Sequence, residues 1–143
     1  MTIRRLTHDE LAASATLHGV SFETGWSEDS FKTHFDNDLC LGFFAPQLVG
    51  LIVARLAVDQ AEIITIAVDP DHRGLGIGHK LTEQIFTNLR ANGVEVLFLE
   101  VAEDNLSAIA LYKKCGFNPI GKRPAYYRRG GGRVAALTFR KDL

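Results

Sequence analysis

The stretch DPDHRGLGIGHKL, Asp69 to Leu81, constrains this chain more than any other. A strand-like apolar run, Glu62–Val68, leads into it. A helix-period run leaves it, with Ile77, Leu81, Ile85 and Leu89 at intervals of four along one face. Between them lies Arg73-Gly74-Leu75-Gly76-Ile77-Gly78. A helix N-terminus leaves backbone N–H groups without intrahelical partners, and the helix dipole adds partial positive charge there. Glycine lets the backbone come close to a ligand and take positive φ. A strand, a glycine loop and a helix start therefore form a cradle for a phosphate or similar anion. Read alone, the same residues also describe a tight strand–helix turn that holds nothing. No Lys-Ser/Thr follows the last glycine, so the loop is not of the Walker type. GLGIGH also lacks the sixth-position glycine of the dinucleotide fingerprint.

The rest of the chain supplies a mixed α/β frame for that loop. TIRRL reads as a strand, and His8 to about Val20 as a helix with Leu11, Ala12, Ala15 and Leu17 among its apolar positions. Ser27 is placed to cap a second helix running to about Phe35. Strands follow at Leu39–Ala45, Leu48–Ala57 and Glu62–Val68, the first two joined at Pro46-Gln47. After the glycine-led helix, Asn92-Gly93 marks a stop. VEVLFLEV is a strand, Asn105 to about Cys115 a helix, and two more strands fall near Asn118–Tyr127 and Val134–Phe139. The order β-α-α-β-β-β-α-β-α-β-β predicts a central mixed sheet with helices on both faces. No repeat or linker divides residues 1–143, which read as a single domain.

Composition excludes several classes. With 46% hydrophobic and 23% charged residues, the chain is an ordinary globular one. No apolar run approaches the roughly 20 residues of a membrane span, and MTIRRLTHDE offers no signal-peptide core. Cys40 and Cys115 match no metal or redox spacing, and the five scattered histidines are expected to form no ligand pair with one another or with a cysteine. Reduced thiols and a cytoplasmic protein without a metal are the expectation. Charge is uneven: residues 1–70 hold 4 Lys/Arg against 10 Asp/Glu, and residues 71–143 hold 12 against 7. The basic half suits a polyanionic ligand, or it is simply solvated surface.

Three polar residues stand out on these elements. Glu100 interrupts an apolar strand and shares a face with Val96 and Phe98. A carboxylate there is costly unless it is paired or lies at the strand's open end. It is either a base or a strand-end group bonded to an arginine or a backbone N–H. Tyr112 stands with Ala108, Leu111 and Cys115 at helical spacing, which packing alone would explain. Asn105 is placed as a helix N-cap.

Val68, Pro70, Arg73, Gly74, Gly76, Ile77 and Gly78 resemble the acyl-CoA signature of the GNAT N-acetyltransferases, V-x-P-x-x-R-G-x-G-I-G. A second signature, N-x-x-A-x-x-L-Y-x-x-x-G-F, falls on Asn105, Ala108, Leu111, Tyr112, Gly116 and Phe117. The resemblance runs from roughly Arg4 to Phe139 and implies the GNAT fold. It implies acetyl-CoA as donor, with amides from about Gly74 through Leu75 to His79 on the pyrophosphate. Ile66, Ala67 and Val68 would pair with the pantetheine arm. Asn105 would bond the coenzyme, and the Tyr112 phenol would stand beside the coenzyme sulfur as general acid. Transfer would be direct, which leaves Cys40 and Cys115 without a catalytic role.

Within GNAT, SFETGWSEDSF resembles a segment of the bacterial ribosomal-protein alanine N-acetyltransferases through Phe22, Trp26, Ser27 and Phe31, with Gly25 where proline is usual. KRPAYYRRGGGRVAAL resembles their R-x-x-Y-Y segment through Arg123, Tyr126 and Tyr127. The L-E-V of that family carries the general base and falls on Glu100. The resemblance implies acetylation of a protein N-terminal α-amine, such as that of a ribosomal protein beginning with alanine. The amine would enter between Trp26 and the Tyr126–Tyr127 hairpin. Val134-Ala135 lacks the acid of the family's usual D-A, so Asp36, Asp38 or Glu23 would have to supply an acidic contact. Other acceptors, a small-molecule amine or a lysine, stay open, as does a non-catalytic acyl-CoA sensor. Residues 113–143 hold 9 Lys/Arg and 1 Asp. Nucleic-acid stacking on Tyr126 and Tyr127 is the less favoured account of that basic tail.

Overall fold

The computed structural model describes residues 1–130 and 132–143. The elements run β1 Thr2–Arg5, α1 Leu11–Ser21, α2 Glu28–Asn37, β2 Leu39–Phe44, β3 Leu48–Ala57, β4 Gln60–Val68, α3 Ile77–Ala91, β5 Val96–Ala102, α4 Leu106–Lys114, β6 Asn118–Arg129 and β7 Gly132–Asp142. This is the order expected from the sequence, with the bounds adjusted. Where one helix was expected from His8, a 3₁₀ turn at His8–Glu10 precedes α1. Glu10 reaches back to accept the Thr7 backbone N–H (2.8 Å) and an Arg4 N–H (2.9 Å), which fixes the chain just ahead of the helix. β6 and β7 outrun their apolar cores. Pairing with β5 carries β7 out to Val96↔Asp142, through charged residues that propensity alone would leave out of a strand.

The strands form one sheet in the order β1-β2-β3-β4-β5-β7-β6. Every neighbouring pair is antiparallel except β4–β5. Along β3, side chains alternate between two cores. Leu51 and Val53 pack with Leu17 of α1 and Phe31 of α2 on one face. Ile52 and Ala54 face the other, with Leu81, Ile85 and Leu89 of α3, Leu97 and Leu99 of β5, and Phe139 of β7. Those three α3 residues belong, with Ile77, to the row of four-residue spacing, and none of the three exposes surface. Burial of each stabilises the fold by roughly 1.5–3 kcal/mol.

One break in the ladder positions everything functional. β4 and β5 pair from Gln60↔Val96 only as far as Ile63↔Leu99. Beyond that, β4 continues beside β3 to Val68↔Gly50, and β5 continues beside β7 to Ala102↔Ala136. The two parallel strands therefore part, and the residues after Ile63 present a strand edge toward the gap. An unpaired edge inside a sheet is a ready partner for an extended ligand with amide groups.

Candidate functional site

Two clefts open on either side of this gap and share Phe22, Ile66, Asn105 and Ala108. The first, of about 390 Å³, is built around the glycine loop. Asp69 starts the loop by accepting the Asp71 N–H (2.8 Å) and capping a 3₁₀ turn at Pro70–His72. Gly74 and Gly76 both take φ of 78°, the left-handed region where a side chain is strained. Gly76 then caps α3 with no side-chain acceptor on the first-turn N–H groups. Those donors stay available to an anion. Arg73 donates to the Val68 carbonyl (3.3 Å) and, with Lys114 of α4, adds positive charge to the lining. Ile66, Ala67, Val68, Arg73, Gly74, Gly76, Ile77, Gly78, His79 and Asn105 all line this cleft. Leu75 does not; its side chain projects into solvent at 64% exposure.

The second cleft, of about 380 Å³, gathers side chains from distant parts of the chain. Glu100 and Tyr112 line it together with Trp26 and Tyr127. Tyr126 lies outside the lining, about half exposed, edge-on to Tyr127 (5.2 Å between ring centroids). Glu100 is three-quarters buried, and its two oxygens differ. Oε1 accepts from Arg123 of β6 at 3.2 Å. Oε2 is buried with no hydrogen-bond partner among the described residues. The arginine partner is the one that the strand-end reading of Glu100 expects, and it engages a single oxygen of the carboxylate.

Tyr112 is buried at 5% exposure. Burial chiefly, then the neighbouring Cys115 and Tyr127, push its phenol above the ordinary range. It therefore stays protonated across physiological pH. Asn105 is the N-cap of α4, its Oδ1 accepting the Ala108 N–H at 3.3 Å. Its amide nitrogen keeps two donors beside both clefts.

His18 belongs to the site and carries no role in the sequence reading. It stacks on Phe22 (4.4 Å) and Trp26 (4.8 Å), and Trp26 stacks in turn on His34 (4.3 Å). Its Nδ1 accepts the Trp26 backbone N–H at 3.0 Å, so Nε2 carries the proton toward Thr65 Oγ1 at 3.0 Å. Burial, then the His34 charge, lowers its pKa to about 4, and it is neutral at pH 7. The signal was its place one residue after Leu17 and four after Ser14, inside the buried stripe of α1. The wall it supports turns sharply at Gly25, where an added Cβ would stand 2.6 Å from Gly19 Cα. A side chain of any size, the family's usual proline included, would need that backbone contact to shift.

The three acids offered as replacements for the absent Asp separate cleanly. Glu23 lines the second cleft. Asp36 pairs with His8 (2.9 Å), and buried Asp38 with His34 (2.6 Å) and Arg55 (3.3 Å). The expectation that no histidine meets a cysteine is corrected by the fold. Packing of α3 against α4 brings His79 Nδ1 to 3.4 Å from Cys115 Sγ, with Glu83 one turn along. The trio's ligand atoms lie within 4.8 Å of one another. Burial raises the Cys115 thiol, and Lys114 and Lys141 stand close enough to act on it. The His79–Glu83 contact is loose, at 3.9 Å. Both cysteines are free and buried, and Cys40 is pushed up to about 12 by burial and by Asp38. No helix among the described residues is long and apolar enough to cross a membrane.

Residues 8–117 match the model of the Acetyltransferase (GNAT) family. The chain is 33% identical over 139 residues to the [Ribosomal protein bS18]-alanine N-acetyltransferase of Escherichia coli K12, covering 95% of this chain and 93% of that one. Its fold superposes on the crystal structure of the ribosomal-protein-S18-alanine N-acetyltransferase from Escherichia coli with a TM-score of 0.92. That pair is 30% identical, covering 99% of this chain and 93% of the other. The fold is also that of yncA from Salmonella typhimurium, solved with its cofactor acetyl-CoA, at a TM-score of 0.84 and 19% identity over 99% and 93% of the two chains.

Proposed function

The chain belongs to the GNAT family of acetyltransferases and is an N-acetyltransferase; from that premise we propose that it moves the acetyl group of acetyl-CoA to the N-terminal α-amine of a protein. The acceptor class we favour is a cytoplasmic ribosomal protein beginning with alanine. The single observation that carries this reading is the pair of clefts meeting at the β4–β5 gap. One offers backbone donors, and the other a carboxylate and a phenol.

Acetyl-CoA would lie with its pyrophosphate on the amides from Gly74 to His79 and its pantetheine arm along Ile66–Val68. Bound there, it supplies an activated thioester. The chain's own groups do the rest. Glu100 Oε2 takes a proton from the incoming ammonium, directly or through water, and leaves a nitrogen lone pair facing the thioester carbon. An α-amine has a pKa near 8, so a modest base suffices. A backbone N–H on the free edge of β4 stabilises charge on the thioester oxygen. Tyr112, with its raised pKa, is a weaker acid than a thiol. It stabilises the departing sulfur by a hydrogen bond more than by complete proton transfer. Holding both substrates at the gap supplies orientation. Trp26 and Tyr127 flank the acceptor, and Glu23 takes the acidic contact to a basic peptide.

Intact-mass spectra of ribosomal proteins from cells with and without this protein test the reading. One protein should lose a single acetyl group from its N-terminus when the chain is absent. Identical spectra would turn the assignment toward small-molecule amines.

A further inference from the structure

We propose that Arg123 is a positioning residue for Glu100, and that it ties the conformation of the acceptor hairpin to the base. The inference rests on the reading of Glu100 as the base. Arg123 Nη2 holds Glu100 Oε1 at 3.2 Å. More than half of the Arg123 side chain is exposed, and a pair this wet adds little to fold stability. What it does fix is the carboxylate's orientation: with Oε1 taken, Oε2 is the oxygen left unpartnered and buried.

The arginine is itself held. Its guanidinium lies 4.5 Å from the centre of the Tyr126 ring. Tyr126 meets Tyr127 edge-to-face at 86°, and Tyr127 lines the acceptor cleft beside Glu100. The backbone is shaped for this return. Arg123 faces Ala136 and Tyr127 faces Val134, so β6 carries extra residues between two nearby pairing points. Such a bulge re-aims side chains, and here it brings Tyr126 over Arg123. Tyr126 lies outside the cleft, which fits a role through Arg123 better than contact with substrate.

In the transfer step the α-ammonium N–H breaks and its proton passes to Glu100 Oε2. The electron pair stays on nitrogen and forms the C–N bond at the thioester carbon; the C–S bond breaks, the nitrogen gives up its second proton, and the coenzyme leaves as the thiol. Other groups also face Glu100. Tyr112, Tyr127, His18 and Glu23 look on from the acceptor cleft. Arg55, Glu62 and Thr138 line a third cavity together with Glu100.

The test measures kcat and KM for an alanine-initiated peptide, with coenzyme A affinity and thermal unfolding as controls. Arg123→Gln should lower kcat about tenfold and leave coenzyme A binding, peptide KM and the unfolding midpoint nearly unchanged. Arg123→Lys should restore only part of kcat, since one ammonium cannot copy the guanidinium's geometry. Tyr126→Ala should lower kcat by less, and serves if Arg123→Gln fails to fold. A kcat equal to that of the wild type in these variants, or a loss confined to peptide KM, would overturn the proposal. Activity persisting in Glu100→Gln would instead remove the base reading on which it stands.

Discussion

The two clefts are made of different material. The donor cleft owes its chemistry to backbone: glycines at positive φ, uncapped N–H groups at the start of α3, and the free edge of β4. The acceptor cleft owes its chemistry to side chains. They come from α1, the segment before α2, β4, β5, α4 and β6. Backbone geometry is written in a few adjacent residues. A side-chain constellation is written across the whole chain, and one bulge or turn changes it. A donor site of the first kind suits a cofactor that never varies, while a site of the second kind can be retuned for a new acceptor.

The largest separation of the two halves should come from Glu100→Gln. Turnover should fall by about 10²–10⁴-fold, while coenzyme A affinity, measured by calorimetry, stays within about twofold because the donor cleft does not use this side chain. Equal losses in both would mean that the clefts do not divide the work. The reverse separation should come from Gly76→Val. A β-branched residue forced to φ near 78° costs about 1–2 kcal/mol. Coenzyme A affinity should weaken about tenfold, with no change in the order of preference among acceptor peptides.

A smaller effect is expected at His18, which braces the acceptor wall. Its folded pKa, about 4, lies below the ordinary value near 6.5, so the unfolded chain binds the proton more readily. Stability is therefore full above pH 6.5 and is lost as pH falls toward 4. With allowance for solvent around the ring, the loss should be about 1 kcal/mol between pH 7 and pH 5. Urea unfolding at the two pH values should show it, and His18→Gln should flatten the difference. The smallest effect belongs to Glu23→Gln. It should raise KM for a basic peptide about threefold, or ~0.6 kcal/mol as expected for an exposed charge contact. High salt should erase that difference.

The same division explains what was legible in the sequence. The glycine loop, the α3 stripe and the order of all eleven strands and helices could be read because each depends on local spacing. Glu100 stood out because a carboxylate in an apolar strand needs a reason. Its partner did not: Arg123 reaches it only because β7 lies between β5 and β6 in the sheet. Tyr126 and Tyr127 look equivalent as neighbours in sequence, yet the bulge sends one toward the arginine and the other to the cleft. His18 hid in an apolar stripe, and its bonds to Trp26 and Thr65 depend on a turn and a strand remote from it. Glu23 could be chosen from the three acids only after the fold paired Asp36 and Asp38 elsewhere.

The most direct measurement uses an alanine-initiated peptide that also carries an internal lysine. It is incubated with acetyl-CoA and this protein and read by tandem mass spectrometry. A single acetyl group on the α-amine, formed by the wild type and nearly absent with Glu100→Gln, is the result predicted here. Acetyl found on the lysine side chain, or no transfer despite tight coenzyme A binding, would contradict it.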